Sequence, residues 1–386
     1  MNQLQNLLKK FRSGAYRNVS DLDFTPLDLK TFAAAARNGD DSFDLLRLRS
    51  WYHFLRNERD LALAGQLEAF ALRPDVEGIK NIGILARELR DRTHAIDFLL
   101  AQEQHYSENF QFYDVLAHNS GQFGDASAAR KYGTRSLELK HARYGAGVAR
   151  PNFPPVPTFR AEPSRNVIAF SLFGENPRYV QPLVLSAELK PHLYPLWTMR
   201  IYVDNSVPER VLGQLRAKGC QIVQVSPSDI PGTFWRFLAA NDHSIDRFIF
   251  RDADSILNIR ERVAVDEWIA SKRHFHVMRD FYSHSELILA GLWGGVRGAL
   301  PPMDPLIEQW FKEKRAHVYN QTTSDQIFLR EKVWRIVQHS VLVHDSAFDF
   351  GDKKDFPNIG TLPPWKHVGQ DDFIFFKKAN DIDNGD

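Results

Sequence analysis

The sequence predicts an all-α helical-repeat domain over residues 1–142, a proline-rich linker over 143–165, and an α/β domain with a mainly parallel sheet over 166–386. Three observations carry this. From about Ser42 to Ala142 the chain is rich in Ala, Leu, Arg and Glu and holds no strand-like run. Pro151, Pro154, Pro155, Pro157 and Pro163 then remove backbone donors and fix φ, which favours an extended segment over a regular element. Beyond Asn166, short apolar runs alternate with amphipathic stretches at the spacing of strand–helix–strand units. A chain of 386 residues is long enough for two domains, and 43% hydrophobic residues suffice for two cores.

The helical part is self-similar. Asp60 precedes Ala64, Asp91 precedes Ala95 and Asp125 precedes Ala129 by the same four positions, and Ala95 lies 34 positions before Ala129. Ile82-Gly83 and Leu116-Ala117 supply a large–small pair where two helices of one hairpin cross closely, and Arg90-Asp91-Arg92 and Phe123-Gly124-Asp125 supply the turns. A 34-residue period is that of a helix hairpin repeat. The segment resembles the tetratricopeptide family, with two clear repeats and a degenerate one over Leu45–Pro74.

Composition narrows the function classes. A formal charge of +1 excludes the basic excess of a dedicated nucleic-acid binder, so no nucleic acid is expected as partner. The single cysteine, Cys220, cannot form an internal disulfide and reads as a core thiol beside a strand. In Met1–Gly14 the charges Lys9, Lys10 and Arg12 follow the apolar residues, the reverse of a signal peptide. No run approaches the ~18 apolar residues of a membrane span. A cytoplasmic protein is expected, its opening segment an ordinary first helix or, alternatively, an amphipathic contact with the inner membrane surface.

In the α/β part, strands are expected over residues 166–173, 198–203, 221–225 and 247–250, with helices over 180–196 (limited by Pro182 and Pro191) and 208–218. Ligands of such sheets bind beyond the carboxyl ends of the strands, so the residues that follow each strand are the candidates. The fourth strand runs into Arg251-Asp252-Ala253-Asp254-Ser255. Two carboxylates two positions apart at that place can share one hard divalent cation, which in turn neutralises a diphosphate. The competing reading is an exposed acidic turn, or Asp254 as a helix N-cap.

Set after Phe248-Ile249-Phe250, this stretch resembles the Asp-x-Asp motif of glycosyltransferases with the GT-A fold, a Rossmann-like architecture. Later segments, within residues 166–372, are similar to that family in order. His276–Asp280 resembles the strand after the metal motif, and the glycine-containing stretch Leu287–Gly295 the segment beneath donor and acceptor. Thr322–Leu329 resembles the Asp-Gln helix start, which implies Asp325 and Gln326 near the reacting sugar; alternatively Thr323 or Ser324 caps that helix. Trp365–Gly369 resembles a late His-x-Gly element, which implies His367 as third metal ligand beside Asp252 and Asp254, with Lys366 near the diphosphate; His344 is a rival ligand.

By the same resemblance Phe170 to Gly174 and Asp204 lie where the nucleotide base and ribose bind, and Arg236 is expected to reach the donor because arginine forks onto phosphate and stacks on bases; the alternative for each is ordinary strand-end polarity. Arg251 stands where the family has an apolar residue, and is expected to pair with the phosphates, with Asp280 or with Asp254. The implied activity is metal-dependent transfer of a sugar from a nucleotide-sugar donor, UDP-sugar favoured, to a glycan or glycolipid acceptor, with Mn²⁺ or Mg²⁺ as cofactor. Inversion would use Asp280 or Asp325 as base. The Asp-Gln and His-x-Gly elements favour retention. Bacterial surface polysaccharide or lipopolysaccharide assembly is the expected setting, with the helical repeats holding the acceptor, a partner or a second subunit. The alternatives are a nucleotidyltransferase, disfavoured by the single glycine and missing lysine of Ser171–Asn176, and a non-catalytic helical scaffold.

Overall fold

Apolar residues at three- and four-residue steps, with capping side chains at helix starts, make the N-terminal unit helical. The computed structural model describes residues 2–35, 39–226, 230–314, 323–360 and 366–373. Thr322 and Trp365, which open two of the sequence segments above, lie outside them. The chain divides into two units, residues 1–139 and 140–386.

In the first unit, α1 (Asn2–Arg12), α2 (Pro26–Ala35) and α3 (Gly39–Leu55) lead into α4 (Arg59–Leu72) and α5 (Val76–Glu88). A π-helical turn at Thr93–Asp97 continues as α6 (Phe98–Leu100) and α7 (Glu103–Tyr106), followed by α8 (Phe110–Gln122) and α9 (Ala126–Tyr144). Asp75 caps α5 by accepting from the Gly78 amide, and Asn109 caps α8 by accepting from Gln111 and Phe112. The apolar face of α1 (Leu4, Leu7, Leu8) is buried against Tyr16, Phe24, Leu45 and Leu48, so it is consumed by the unit's own core.

Three helix ends repeat one geometry. Asn57, Arg90 and Gly124 all have positive φ (63°, 59° and 85°), 33 and then 34 positions apart (57 to 90 to 124). Each is followed by an amide that donates to the carbonyl five positions earlier: Glu58 to His53 at 2.9 Å, Asp91 to Ala86 at 2.8 Å, Asp125 to Ser120 at 2.9 Å. This is the helix-terminating bond that satisfies otherwise orphaned carbonyls. Ala62, Ala95 and Ala129 then donate to the carbonyls of Glu58, Asp91 and Asp125. The first repeat is therefore registered on Glu58 and Ala62, not on Asp60 and Ala64 as the acid–alanine spacing suggests. Buried Asn119 cross-links the later hairpins by donating to the carbonyls of Gly83 (3.0 Å) and Ala95 (2.8 Å).

The second unit is an α/β sheet. Its strands are β1 (Asn166–Leu172), β2 (Thr198–Val203), β3 (Gln221–Gln224), β4 (Arg247–Phe250), β5 (Phe275–Arg279), β6 (Trp293–Val296), β7 (Val341–Asp345) and β8 (Lys353–Lys354), in spatial order β3-β2-β1-β4-β6-β5-β7-β8. All seven residues of β1 are buried, as a strand covered on both faces requires. β3, β2, β1 and β4 are mutually parallel, with Ala169 level with Phe250. β6 is antiparallel to β4 and β5, while β7 and β8 extend β5 in parallel. After β3 the chain crosses back to place β4 beside β1, so strand order reverses there and the carboxyl ends of β1 and β4 border a crevice.

The helices of this unit are α10 (Pro177–Leu193), α11 (Glu209–Ala217), α12 (Ile259–Ser271), α13 (Met303–Lys314), α14 (Ser324–Phe328) and α15 (Trp334–Val337). Pro182 and Pro191 lie within α10 rather than limiting it; the helix starts earlier, with Pro177 in its first turn and the Asn176 side chain accepting from the Arg178 amide. The proline segment follows the end of α9 at Tyr144 and has no regular element before Pro163. It is fastened to the sheet, with the Pro157 carbonyl accepting from Arg247 and the Pro154 carbonyl facing His274. Cys220 is buried and its thiol is pushed up to about 11 by burial.

A Cβ at Gly83 would overlap Val115 Cγ1. Gly83→Ala gains helix propensity of about 1 kcal/mol but overpacks the crossing by about 1–3 kcal/mol. We expect net destabilisation of the helical unit in urea unfolding followed by circular dichroism, relieved when Val115→Ala is added. A Gly83→Ala protein as stable as the parent would contradict the close crossing.

Candidate active site

Past Phe250 the chain leaves the sheet but keeps the alternation of a strand. Arg251, Ala253 and Ser255 are buried, while Asp252 and Asp254 between them are half-buried and face the crevice. Arg251 is turned into the core, where Nε donates to Glu261 (2.8 Å) and Nη1 to the Phe250 carbonyl (2.7 Å). It therefore pairs with none of the phosphate-site, Asp254 or Asp280 partners expected for it, because its side of the strand is the inner one.

The two aspartates have different surroundings. Asp252 accepts from Arg236 Nη1 at 2.5 Å, and a Cβ on Gly291 would overlap its carboxylate. Gly291 thus lets backbone lie against the acid. Asp254 meets Arg178 Nη2 at 3.4 Å, and the same guanidinium group holds Asp371 at 2.9 Å. Burial, then the charges of Asp252 and Asp371, push the Asp254 carboxyl up to about 6, with Arg178 opposing.

Arg236 comes from a 3₁₀ helix, Gly232–Asn241, whose position is set by the Arg236 amide donating to Ser171 Oγ on β1 (2.9 Å). Its buried guanidinium forks: Nη1 goes to Asp252 and Nη2 to Asp325 Oδ2 at 2.9 Å. Asp325 lies at the start of α14, buried, its carboxyl pushed up to about 6 by burial and by Asp252 against the pull of Arg236. Its other oxygen accepts from the Gln326 amide. Thr323 makes no side-chain cap there.

These groups surround a cavity of about 480 Å³, against about 240 and 230 Å³ for the cavities in the helical unit. Five of the residues singled out in the sequence, Asp252, Asp254, Asp325, Gln326 and Arg236, line it. Phe173, within the 170–174 stretch singled out in the sequence, lines it too, as do Arg178, Tyr179 and Asp371, which were not foreseen. Arg178 had a weak signal, being in the first turn of the helix that follows β1. Asp371 had none beyond lying two residues after Gly369.

Other expected residues fall elsewhere. Phe170 is sealed inside β1. Gly174 and Asp204 meet at the ends of β1 and β2, both bonded to Ser206, outside the cavity lining. Lys366 pairs with Asp372 rather than facing the crevice, and Asp372 accepts from the Ile256 amide (2.9 Å). His367 is stacked on Phe281 (4.2 Å) beside Asp280 and His284, not beside Asp252 and Asp254. Asp280 accepts from Arg260 Nε (3.0 Å) and the Val368 amide (3.1 Å), and burial pushes its carboxyl up to about 6. His344 lies in the core between His276 and Glu267, at 2.8 Å from each.

The crevice thus gathers four carboxylates, Asp252, Asp254, Asp325 and Asp371, with two arginines, Arg178 and Arg236. An all-oxygen, negatively charged donor set suits a hard divalent cation such as Mg²⁺ or Mn²⁺. Burial first, and then the charges of Asp252 and Asp371, disfavour the ionised Asp254 carboxylate, and a bound cation would offset them. Among the described residues no helix is long and apolar enough to cross a membrane.

No protein-family model matches the chain, and no curated protein matches it significantly. Solved structures match in part. A mutant of the O-GlcNAc transferase of Thermobaculum terrenum is 18% identical at a TM-score of 0.38, over 64% of this chain and 45% of that one, so this chain spans less than half of its length. The 4-diphosphocytidyl-2C-methyl-D-erythritol synthase of Anaerococcus prevotii is 11% identical at 0.34, over 57% of this chain and 99% of that one. A mannosyltransferase of Pyrobaculum calidifontis, in complex with GDP-Man and Mn²⁺, is 10% identical at 0.33, over 64% and 70%.

Arg236→Met strands two carboxylates in and beside the core, and breaking such a pair costs about 3–5 kcal/mol. Chemical denaturation should show a loss of that order. Adding Asp325→Asn should recover part of it. A double variant no more stable than the single one would mean that the fork is not what balances Asp325.

Proposed function

We propose that the chain is a metal-dependent glycosyltransferase of the GT-A kind, moving a sugar from a nucleotide-diphosphate donor to an acceptor hydroxyl. The observation that carries this reading is the grouping of Asp252, Asp254 and Asp371 with Arg178 at the switch point of the parallel strands. Asp252 and Asp254, with Asp371 beside them, would hold Mn²⁺ or Mg²⁺. When bound, the cation would neutralise a diphosphate and so stabilise it as a leaving group.

The chain's own residues supply the rest. Half-exposed Arg178 can swing from the acids to a phosphate, which its planar fork fits. Exposed Phe173 and neighbouring Tyr179 offer aromatic faces to a base or sugar ring. Arg236 fixes the orientation of both Asp252 and Asp325. Asp325 is the carboxylate placed in the cavity to accept the acceptor's proton in an inverting reaction. The Asp325-Gln326 pair favours retention, in which the leaving phosphate takes that proton. A UDP-sugar donor, a glycan or glycolipid acceptor of the bacterial surface, and a role for the tetratricopeptide-like unit in holding acceptor or partner complete the reading.

Thermal shift and donor hydrolysis over a panel of nucleotide sugars with Mn²⁺ provide the test. At a donor concentration of about 100 Kd the gain is about 2.7 kcal/mol, visible as a rise in Tm. It should vanish with chelator and in Asp254→Ala while the fold persists by circular dichroism. Undiminished Mn²⁺-dependent stabilisation of Asp254→Ala would refute the site. Stabilisation by a nucleoside triphosphate and by no nucleotide sugar would point to nucleotidyl transfer instead.

A further inference from the structure

Arg178 is fixed at its backbone and loose at its tip. It sits in the first turn of α10, where its amide donates to the Asn176 side chain (3.0 Å). Its side chain is 46% exposed, against 5% for that of Arg236. One nitrogen, Nη2, meets Asp371 Oδ2 at 2.9 Å and Asp254 Oδ2 at 3.4 Å. A single positive charge thus stands between two carboxylates, one from the stretch after β4 and one from the late segment.

Backbone bonds bring these two acids together independently of the arginine. The Asp372 amide donates to the Asp254 carbonyl (2.9 Å), and the Asp372 carboxylate accepts from the Ile256 amide (2.9 Å). Asp371 Oδ1 accepts from the Phe373 amide (3.1 Å), while Oδ2 faces Arg178. The carboxylates therefore stay side by side whichever cation balances them. An ion pair this exposed holds weakly, because water competes for both partners and a long side chain loses freedom in one pose. A divalent cation on the same Oδ2 oxygens concentrates more charge in less space, and a guanidinium nitrogen between them stands in its way. The released fork matches a phosphate. Tyr179, whose ring centre is 5.4 Å from Arg178 Cζ, and Phe173 line the same cavity.

We propose that Arg178 is an exchangeable counter-ion: it yields Asp254 and Asp371 to the divalent cation and is taken up by the donor's diphosphate, so that metal and donor bind as a coupled pair. This rests on the glycosyltransferase reading and adds a reason for the two ligands to enter together. With Arg178 on the acids, a cation has to compete for them and a diphosphate has to win the guanidinium from them. Each ligand removes the obstacle to the other. By linkage, the factor by which the diphosphate strengthens cation binding equals the factor by which the cation strengthens diphosphate binding.

The test uses the full chain without a polyhistidine tag, titrated with Mn²⁺ alone and then with Mn²⁺ in the presence of UDP. Calorimetry and the EPR signal of free Mn²⁺ report binding, with the Mn²⁺–UDP complex in solution accounted for. Without UDP, Arg178→Met should bind Mn²⁺ about tenfold more tightly than the parent, whereas damage to the fold would weaken binding. Arg178→Lys, which keeps the charge, should stay near the parent. UDP should strengthen Mn²⁺ binding less in Arg178→Met than in the parent. A Mn²⁺ affinity of Arg178→Met equal to or below the parent's overturns the proposal, and the glycosyltransferase reading stands as long as the parent binds UDP with Mn²⁺. No Mn²⁺ binding by either protein, with or without UDP, overturns both. Should Arg178→Met fail to fold, the parent decides: Mn²⁺ and UDP binding independently of each other rules the exchange out.

Discussion

The buried Arg236 guanidinium is the point on which the crevice turns. It lies between a carboxylate from the end of β4 and one from the start of α14, and its own backbone is tied to β1 through Ser171. Three distant parts of the chain therefore meet through one cation. Without it, Asp252 and Asp325 would face each other across a partly dry space, where like charges repel strongly. Among the described residues Asp254 is paired only with Arg178, at 3.4 Å, which is half-exposed and divided between Asp254 and Asp371. The motif is therefore asymmetric. One acid is fixed against a buried guanidinium, and the other shares a half-exposed one with Asp371.

The same logic separates what the sequence reveals from what it does not. β1, β2 and β4 are legible because each is a short apolar run buried on both faces, and the acidic pair is legible because it ends one of them. β6 and β8 are not, since Trp293–Val296 holds two glycines and β8 is two lysines. Their extended state comes from pairing with neighbours, as at Gly294, where a Cβ would come within 2.5 Å of the Phe248 carbonyl. Arg236, singled out for its forked guanidinium, and Asp325 and Gln326, singled out by resemblance, all line the crevice. Arg251 does not, because the alternation that turns both aspartates outward turns the residue before them inward.

In the helical unit the period is visible in the sequence but its frame is not. Only one of the three left-handed turns carries glycine; the others are Asn57 and Arg90, of which arginine is disfavoured there. The acid that starts each following helix is Asp at two sites and Glu58 at the third. An acid–alanine spacing search therefore settles on Asp60, two residues late. The backbone bonds are insensitive to these substitutions, since they use amides and carbonyls alone.

The late segment shows how one short stretch can serve two places. Between His367 and Asp371 lies Gly369, at φ +71° and packed so closely on Leu292 that a Cβ would stand 2.9 Å from its side chain. A larger residue would be strained by that backbone and excluded by that contact at once. The chain bends there. His367 is left with Asp280 and His284 on one side, and Asp371 reaches the acids of β4 on the other. Asp372 then locks the arrangement, its amide donating to the Asp254 carbonyl and its carboxylate accepting from Ile256. A histidine expected beside the acidic pair is held away from it by this bend, while the acid four residues later takes the place beside Asp254.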